Sequence, residues 1–233
     1  MIQISKRLQA VAEQVQSRGV VADIGCDHGF TSIYLIEQKL ASRVIAMDIN
    51  RGPLERAGEH IRQYHMEDRI QCKLSDGAKE LVPGEADTLL ISGMGGALIC
   101  KILTDSREVV AEAKELVLSP QSEPFLVRRL VHEMGFCLER EEMLVDQGKY
   151  YVILHAIPGR ESYSREEEYL YGRKLIREKN QVLLQFLEKE QTRIQGIIKG
   201  MSSRKLSAGG WKQKQELEKT LSGILWTIQG IKG

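Results

Sequence analysis

The sequence predicts an α/β fold, a doubly wound and mostly parallel sheet that ends in an antiparallel hairpin, followed by a separate helical hairpin. Three observations carry this. Short apolar runs at 20–24, 44–47, 70–74, 88–91 and 116–118 alternate with stretches of helical spacing, the pattern of parallel strands joined by right-handed crossovers. Two strand-like runs, 137–145 and 150–157, then follow one another across Asp146-Gln147-Gly148-Lys149, a hairpin signal. Beyond Arg165 there is no proline and no strand signal, and apolar residues recur at threes and fours.

The elements follow in order. Ile4, Leu8, Val11, Ala12 and Val15 lie on one face of a helix over 3–16. The first strand, 20–24, enters a turn holding Gly25 and Gly29, and a helix over 32–39 follows. The second strand ends at Asp48, and Pro53 suits the first turn of a helix running to 65. The third strand leads into Ser75-Asp76-Gly77. The fourth, Thr88-Leu89-Leu90-Ile91, is the continuous apolar run of a strand buried on both faces, and it passes into Ser92-Gly93-Met94-Gly95-Gly96 before a helix from about 97. The fifth strand stops at Ser119-Pro120, and a helix over 125–134 precedes the hairpin, which is expected to add an antiparallel strand at one sheet edge.

Two helices are expected in the remainder. Ile176, Leu183, Leu187, Ile194, Ile197 and Met201 form one stripe, and Leu217, Leu221, Ile224, Ile228 and Ile231 a second. A Gly/Ser break from Ser202 to Gly210 separates them, so an antiparallel coiled-coil hairpin is expected. The domain division falls at 1–161 and 162–233.

Composition narrows the class. Hydrophobic residues at 42% and charged residues at 28% are ordinary for a globular protein. No apolar run is long enough to span a membrane and the amino terminus has no signal-peptide core, so a cytoplasmic protein without a membrane partner is expected. Cys26, Cys72, Cys100 and Cys137 show no Cys-x-x-Cys spacing and no paired histidines, which argues against a metal site. The net charge of +1 hides an asymmetry: residues 162–233 hold 14 Lys and Arg against 8 Asp and Glu, leaving the preceding part negative. All of that excess lies in 191–233, with 8 basic and 2 acidic residues. Such a tail suits a polyanionic partner as well as it suits a solvated helix surface.

The chemistry gathers at the strand ends. Asp23-Ile24-Gly25-Cys26-Asp27-His28-Gly29 occupies the first strand-to-helix turn, where open α/β sheets bind ligands. A dinucleotide fingerprint needs glycine where Asp27 stands, and carboxylates at 23 and 27 would repel a diphosphate, which weighs against a nicotinamide oxidoreductase. S-adenosylmethionine has no phosphate and carries an ammonium, so acidic groups suit it. Asp48, followed by Ile49, stands where a carboxylate accepts from both ribose hydroxyls, and Asp76-Gly77 where the adenine is gripped. Arg7 is a candidate for the cofactor carboxylate or a plain surface charge.

Four segments together carry a resemblance: Ser-Lys-Arg-Leu at 5–8, Asp-Ile-Gly-Cys-Asp-His-Gly at 23–29, Ser-Gly-Met-Gly-Gly at 92–96 and Asp-Gln-Gly-Lys-Tyr-Tyr at 146–151. Over nearly its whole length the chain resembles the bacterial tRNA (adenine-N1)-methyltransferase family, which modifies adenine 22 in the tRNA D-arm. Cys26 stands where threonine is frequent in the family, and Phe30 where a small residue or tyrosine occurs. The resemblance implies a class I methyltransferase (Rossmann-like) domain using S-adenosylmethionine, a helical coiled-coil domain and tRNA as substrate. Amino-directed adenine methyltransferases carry Asn/Asp-Pro-Pro-aromatic after the fourth strand, and its replacement by Ser92-Gly93-Met94-Gly95-Gly96 points to a ring nitrogen. Asp27 is then the candidate for bonding the exocyclic amine or taking its proton, with His28 and Tyr150 as helpers. His28 serves equally as a hydrogen-bonded turn residue. Arg193, Lys199, Arg204, Lys205, Lys212 and Lys214 are candidate RNA contacts, and a monomer is expected. The competing readings are methyl transfer to another acceptor and a non-catalytic RNA-binding or assembly protein.

Overall fold

The computed structural model describes residues 2–202 and 206–233, which divide into two compact units, Met1–Ser162 and Tyr163–Gly233. The first unit is built on one seven-stranded sheet with strands β1 (Val20–Ile24), β2 (Arg43–Asp48), β3 (Ile70–Leu74), β4 (Thr88–Met94), β5 (Glu115–Pro120), β6 (Phe136–Asp146) and β7 (Lys149–Pro158). Their order is β3-β2-β1-β4-β5-β7-β6, parallel through β5 and antiparallel at β7. The chain winds outward from β1 to β3 and then restarts beside β1 with β4. That reversal opens a crevice at the carboxyl ends of β1 and β4.

The hairpin adds two antiparallel strands at one edge of the sheet, as the sequence predicts, and β7 lies between β5 and outermost β6. Its residues Ile153, Leu154, His155 and Ala156 are all buried, as an internal position demands, while Glu139 and Arg140 on outermost β6 are exposed. Gln147 and Gly148 turn the hairpin with φ of 49° and 77°, the paired positive values that a two-residue turn matched to strand twist needs.

Among the described residues six helices accompany the sheet: α1 (Lys6–Glu13), α2 (Phe30–Glu37), α3 (Arg51–Gln63), α4 (Gly96–Asp105), α5 (Arg107–Ala111) and α6 (Pro124–Glu133). Helix α1 is shorter than its periodicity suggested. Ser5 caps its start by accepting from the Leu8 N–H at 3.3 Å. Beyond its end, the N–H groups of Gln16 and Ser17 turn to the Glu115 carboxylate at 3.0 Å each. Strand β4 is longer than expected, running through Ser92 to Met94 with an irregularity where Gly93 takes φ +82°. Leu89, Leu90 and Ile91 are wholly buried in the centre of the core. At the amino ends of the strands Glu115 also accepts from Thr88 Oγ1 (2.6 Å) and His155 Nε2 (2.7 Å), so a buried carboxylate ties α1, β4, β5 and β7 together.

The second unit has four helices among the described residues, where the sequence suggested two: α7 (Glu166–Tyr171), α8 (Arg173–Arg177), α9 (Gln181–Ser202) and α10 (Ala208–Lys232). Gly172 at φ +91° separates α7 from α8, and Asn180 opens α9 by accepting from the Leu183 N–H at 2.9 Å. Ile176 therefore belongs to α8 and not to the long stripe. Helices α9 and α10 run antiparallel, since Lys232 Nζ at the end of α10 meets Glu188 Oε1 early in α9 at 2.7 Å. Leu183, Leu187 and Ile194 of α9 and Ile224, Ile228 and Ile231 of α10 are buried, whereas Ile197 is exposed. Gly209 and Gly210 lie in the first turn of α10, not in the break.

Candidate functional site

A cleft of about 570 Å³ opens at the carboxyl ends of β1, β2 and β4. Its floor is the turn after β1. The N–H groups of Gly25 and Cys26 both donate to the Met47 carbonyl of β2, at 2.8 and 2.9 Å, which folds the turn over the neighbouring strand. Gly25 has φ +79°, and a Cβ there would fall 2.2 Å from Met94 Cε; Gly29, at φ +73°, would meet Ala57 Cβ at 3.0 Å. Both positions favour glycine for conformation, and Gly29 for space as well, because the Ala57 atoms it would meet belong to or adjoin the backbone whereas the Met94 methyl can move aside. Asp27 holds φ +49° without being glycine, and its N–H points to Asp48 Oδ2 at 3.4 Å. Asp23 is buried and accepts from Ser32 Oγ at 2.6 Å, tying the strand end to the first turn of α2. Burial pushes its carboxyl up to about 6, against the opposing effect of the Ser32 bonds. Burial likewise raises the Cys26 thiol, which keeps it protonated and unreactive.

Asp48 ends β2 with one oxygen accepting from the Asn50 N–H at 2.8 Å, which leaves acceptor capacity on a half-buried carboxylate in the cleft wall. Ile49 beside it is 60% exposed, an apolar surface facing the same cleft. After β3, Ser75 Oγ donates to the Gly77 carbonyl at 2.8 Å, and Gly77 at φ +65° lies against Ile102. Asp76 pairs with Lys79, whose ammonium holds the carboxyl below its usual range. Arg7 completes the cleft. Its guanidinium lies 5.3 Å over the Tyr151 ring, and its Nη1 is buried without a hydrogen-bond partner among the described residues. Among the described lining residues it is the one Lys or Arg, facing carboxylates at 23, 27, 48 and 76. A buried donor lacking an acceptor is costly unless a ligand supplies one. This donor set fits a molecule with a carboxylate for Arg7, a diol for Asp48 and a flat apolar group beside Ile49, and S-adenosylmethionine has all three.

Residues 4–154 match the family model for a methyltransferase domain. The tRNA (adenine(22)-N(1))-methyltransferase of Bacillus subtilis is 32% identical over 222 residues, which span 93% of this chain and 92% of that protein. The chain belongs to the tRNA (adenine(22)-N(1))-methyltransferase family. The crystal structure of the B. subtilis m1A22 tRNA methyltransferase superposes with a TM-score of 0.88 at 30% identity, over 98% of this chain and all (100%) of that one. A Streptococcus pneumoniae protein solved in complex with S-adenosyl-L-methionine superposes at 0.86 with 26% identity, over 97% of this chain and 100% of that one.

In this family member the remaining candidates distribute unevenly. His28 lines the cleft, 3.6 Å from Asp27 Oδ2, and its ring stacks on Phe30, which stacks in turn on His60 at 4.6 Å between centroids. His60 Nδ1 also donates to the His28 carbonyl at 2.9 Å, so two contacts fix the orientation of that turn. Ser92, Gly93 and Met94 line the cleft; Gly95 and Gly96 do not. Gly96 serves packing, since a Cβ there would lie 2.6 Å from the Ser122 and Glu123 carbonyl oxygens. Tyr150 sits on β7 away from the cleft lining, and the neighbouring Tyr151 is the ring beneath Arg7.

In the second unit, Arg193 pairs with Glu190 at 2.7 Å and Lys214 approaches Glu218 at 3.7 Å. Lys199 and Lys212 are exposed, and Arg204 and Lys205 lie outside the described residues. Sequence reasoning missed Asn50, Ser75 and Gln121, all in the cleft lining. Gln121 follows β5 at the same sheet edge, so the strand-end rule that found Asp48 would also have found it.

Proposed function

We propose that the chain transfers the methyl group of S-adenosylmethionine to N1 of adenine 22 in the tRNA D-arm. The observation that carries this is the cleft, with a buried guanidinium nitrogen that has no partner among the described residues and an Asp48 carboxylate of spare acceptor capacity, in a chain of this family. Residues 1–161 serve as the cofactor and catalytic domain and residues 162–233 as a basic RNA-binding domain.

S-adenosylmethionine supplies a methyl group on an electrophilic sulfonium. Arg7 takes its carboxylate, Asp48 its ribose hydroxyls, and Ile49 and Asp76-Gly77 flank its adenine. Asp23, Gly25, Cys26 and Gly29 shape the turn against which it lies, the first through its bond to Ser32. The protein's part in the reaction is orientation, because the N1 lone pair must approach the methyl group in line. N1 lies on the Watson–Crick edge, so the target base leaves its pair before it enters the cleft. Ser92, Gly93 and Met94 offer a wall without a bulky residue at its centre, suited to a flat base. Asp27, 66% exposed at the cleft and beside His28, accepts from the exocyclic amine and takes up its proton if one is released. The acting species in this proposal is a cytoplasmic monomer.

Incubating unmodified tRNA with the protein and isotopically labelled cofactor, followed by nuclease digestion and mass spectrometry, tests the proposal. One labelled methyl on N1 of adenine 22 is expected. Label at another position, or no transfer by a protein that binds S-adenosylhomocysteine, overturns it.

A further inference from the structure

Between Glu190 and Glu216 the sequence contains six basic residues and no acidic one. This interval spans the last part of α9, the break and the first turns of α10. Within it stands Trp211, 54% exposed. Exposing an indole forgoes the large apolar burial that this side chain normally brings. The other tryptophan of the chain, Trp226, is half-buried on the same helix beneath the Arg165 guanidinium at 4.3 Å. Helix α10 thus covers one indole and presents the other. Lys214 Nζ lies 5.3 Å from the centroid of the Trp211 ring, and Lys212 beside it is exposed. On the facing helix Lys199 and Ile197 are also exposed.

Resting on the reaction proposed above, we propose that Trp211 is a stacking platform for an unpaired tRNA base, with Lys199, Lys212 and Lys214 on the adjoining phosphates. The charge decides the partner: an interval of one sign attracts a polyanion, and an aromatic face among lysines is how proteins hold unpaired nucleotides. A membrane surface would instead need a continuous apolar face. The residues after Trp211 are Lys-Gln-Lys-Gln-Glu, with no apolar side chain before Leu217. Single-stranded loops are where RNA offers bases free to stack, so the site would read the shape of the tRNA and not a paired sequence.

The test uses the full chain carrying Trp226→Phe, which leaves Trp211 as its one tryptophan, with Trp211→Ala and Trp211→Phe prepared in the otherwise unaltered chain. Adding tRNA should quench Trp211 emission saturably, and a fully paired RNA duplex should bind without that quench. Trp211→Ala should weaken tRNA affinity roughly tenfold, about the size of one stacked base, and Trp211→Phe should lose less. Affinity for S-adenosylhomocysteine should not change in either. Unchanged tRNA affinity in Trp211→Ala, or tRNA binding without a quench, overturns the platform while the methyl-transfer reading stands. Should Trp226→Phe fail to fold, the affinities of the two Trp211 variants decide. An emission change on phosphatidylglycerol vesicles and none on tRNA assigns the residue to membranes and overturns the proposal. If the unaltered chain neither binds nor methylates tRNA, the proposed function falls and the platform with it.

Discussion

At the scale of single residues, the candidate site depends on which polar atoms remain available once the fold has used the others. Asp23 is committed to Ser32, whereas Asp48 holds a single 2.8 Å bond from Asn50 and a long 3.4 Å contact from Asp27. Asp48→Ala should therefore weaken S-adenosylhomocysteine binding on the order of 100-fold, the cost of two hydrogen bonds to a charged acceptor, and leave the fold intact. Calorimetry with circular dichroism checks this, and normal affinity in a folded variant would remove Asp48 from the ribose role. Asp27 makes a different prediction. Its side chain is 66% exposed and bonds little beyond the His28 contact, so Asp27→Ala should lower the methylation rate at saturating cofactor by roughly 100-fold while cofactor affinity changes little. The acidic strand-end positions were legible because a carboxylate at each turn excludes a diphosphate ligand. Arg7 was legible only as a charge. Its Nη1, without a hydrogen-bond partner among the described residues, is placed by the seating of α1 beside Tyr151 on β7, and the Arg7 N–H reaches an equally remote acceptor, Asp146, 139 residues away. At Gly96 the demand for glycine that the structure shows comes from backbone at 122–123, a contact that the local sequence does not reveal.

At the scale of elements, the parallel strands were readable because each is an uninterrupted apolar run, and burial on both faces requires that. Helices α5, α7 and α8 escaped detection. At five or six residues they complete too few turns for apolar periodicity to emerge. The internal place of β7 was hidden as well, because a hairpin signal fixes the pairing of its two strands but not which of them joins the sheet. What secures β7 and α1 is Glu115. Burial alone would raise its carboxyl, but the bonds from His155, Thr88, Ser17 and Gln16 overcome this and hold it at about 2, against 4.5 for the unperturbed group. The folded value lies below the unfolded one. The resulting stability is fully present above about pH 4.5 and is lost as pH falls toward 2, and its size is about 3 kcal/mol at neutral pH. Glu115→Gln should lower stability by about that amount at pH 7 and flatten its decline in acid. Urea titrations at pH 7 and pH 3 measure both effects, and an equally steep acid decline in the variant would show that other groups govern it.

At the scale of the whole molecule, the two units differ in charge and each carries its own buried apolar residues. The first is organised around β1, β4 and β5, and every described residue lining the cleft belongs to it. The second buries Leu183, Leu187 and Ile194 together with Ile224, Ile228 and Ile231. Cofactor binding and RNA binding should then separate on truncation. A chain ending at residue 162 should fold, bind S-adenosylhomocysteine with the affinity of the full protein, and lose most activity on tRNA. The loss should be roughly 100-fold or more in kcat/KM at physiological salt, because the eight basic residues of 191–233 supply phosphate contacts whose counterion release drives association. The defect should shrink as salt is raised, since screening weakens the full-length protein more than the truncated one. Replacing Lys199, Lys212 or Lys214 singly should reduce the salt slope of tRNA binding by about one each while leaving cofactor affinity unchanged. A truncated protein that methylates tRNA at the full rate would make the helical unit an assembly element, and the stacking role proposed for Trp211 would then have no purpose in the reaction.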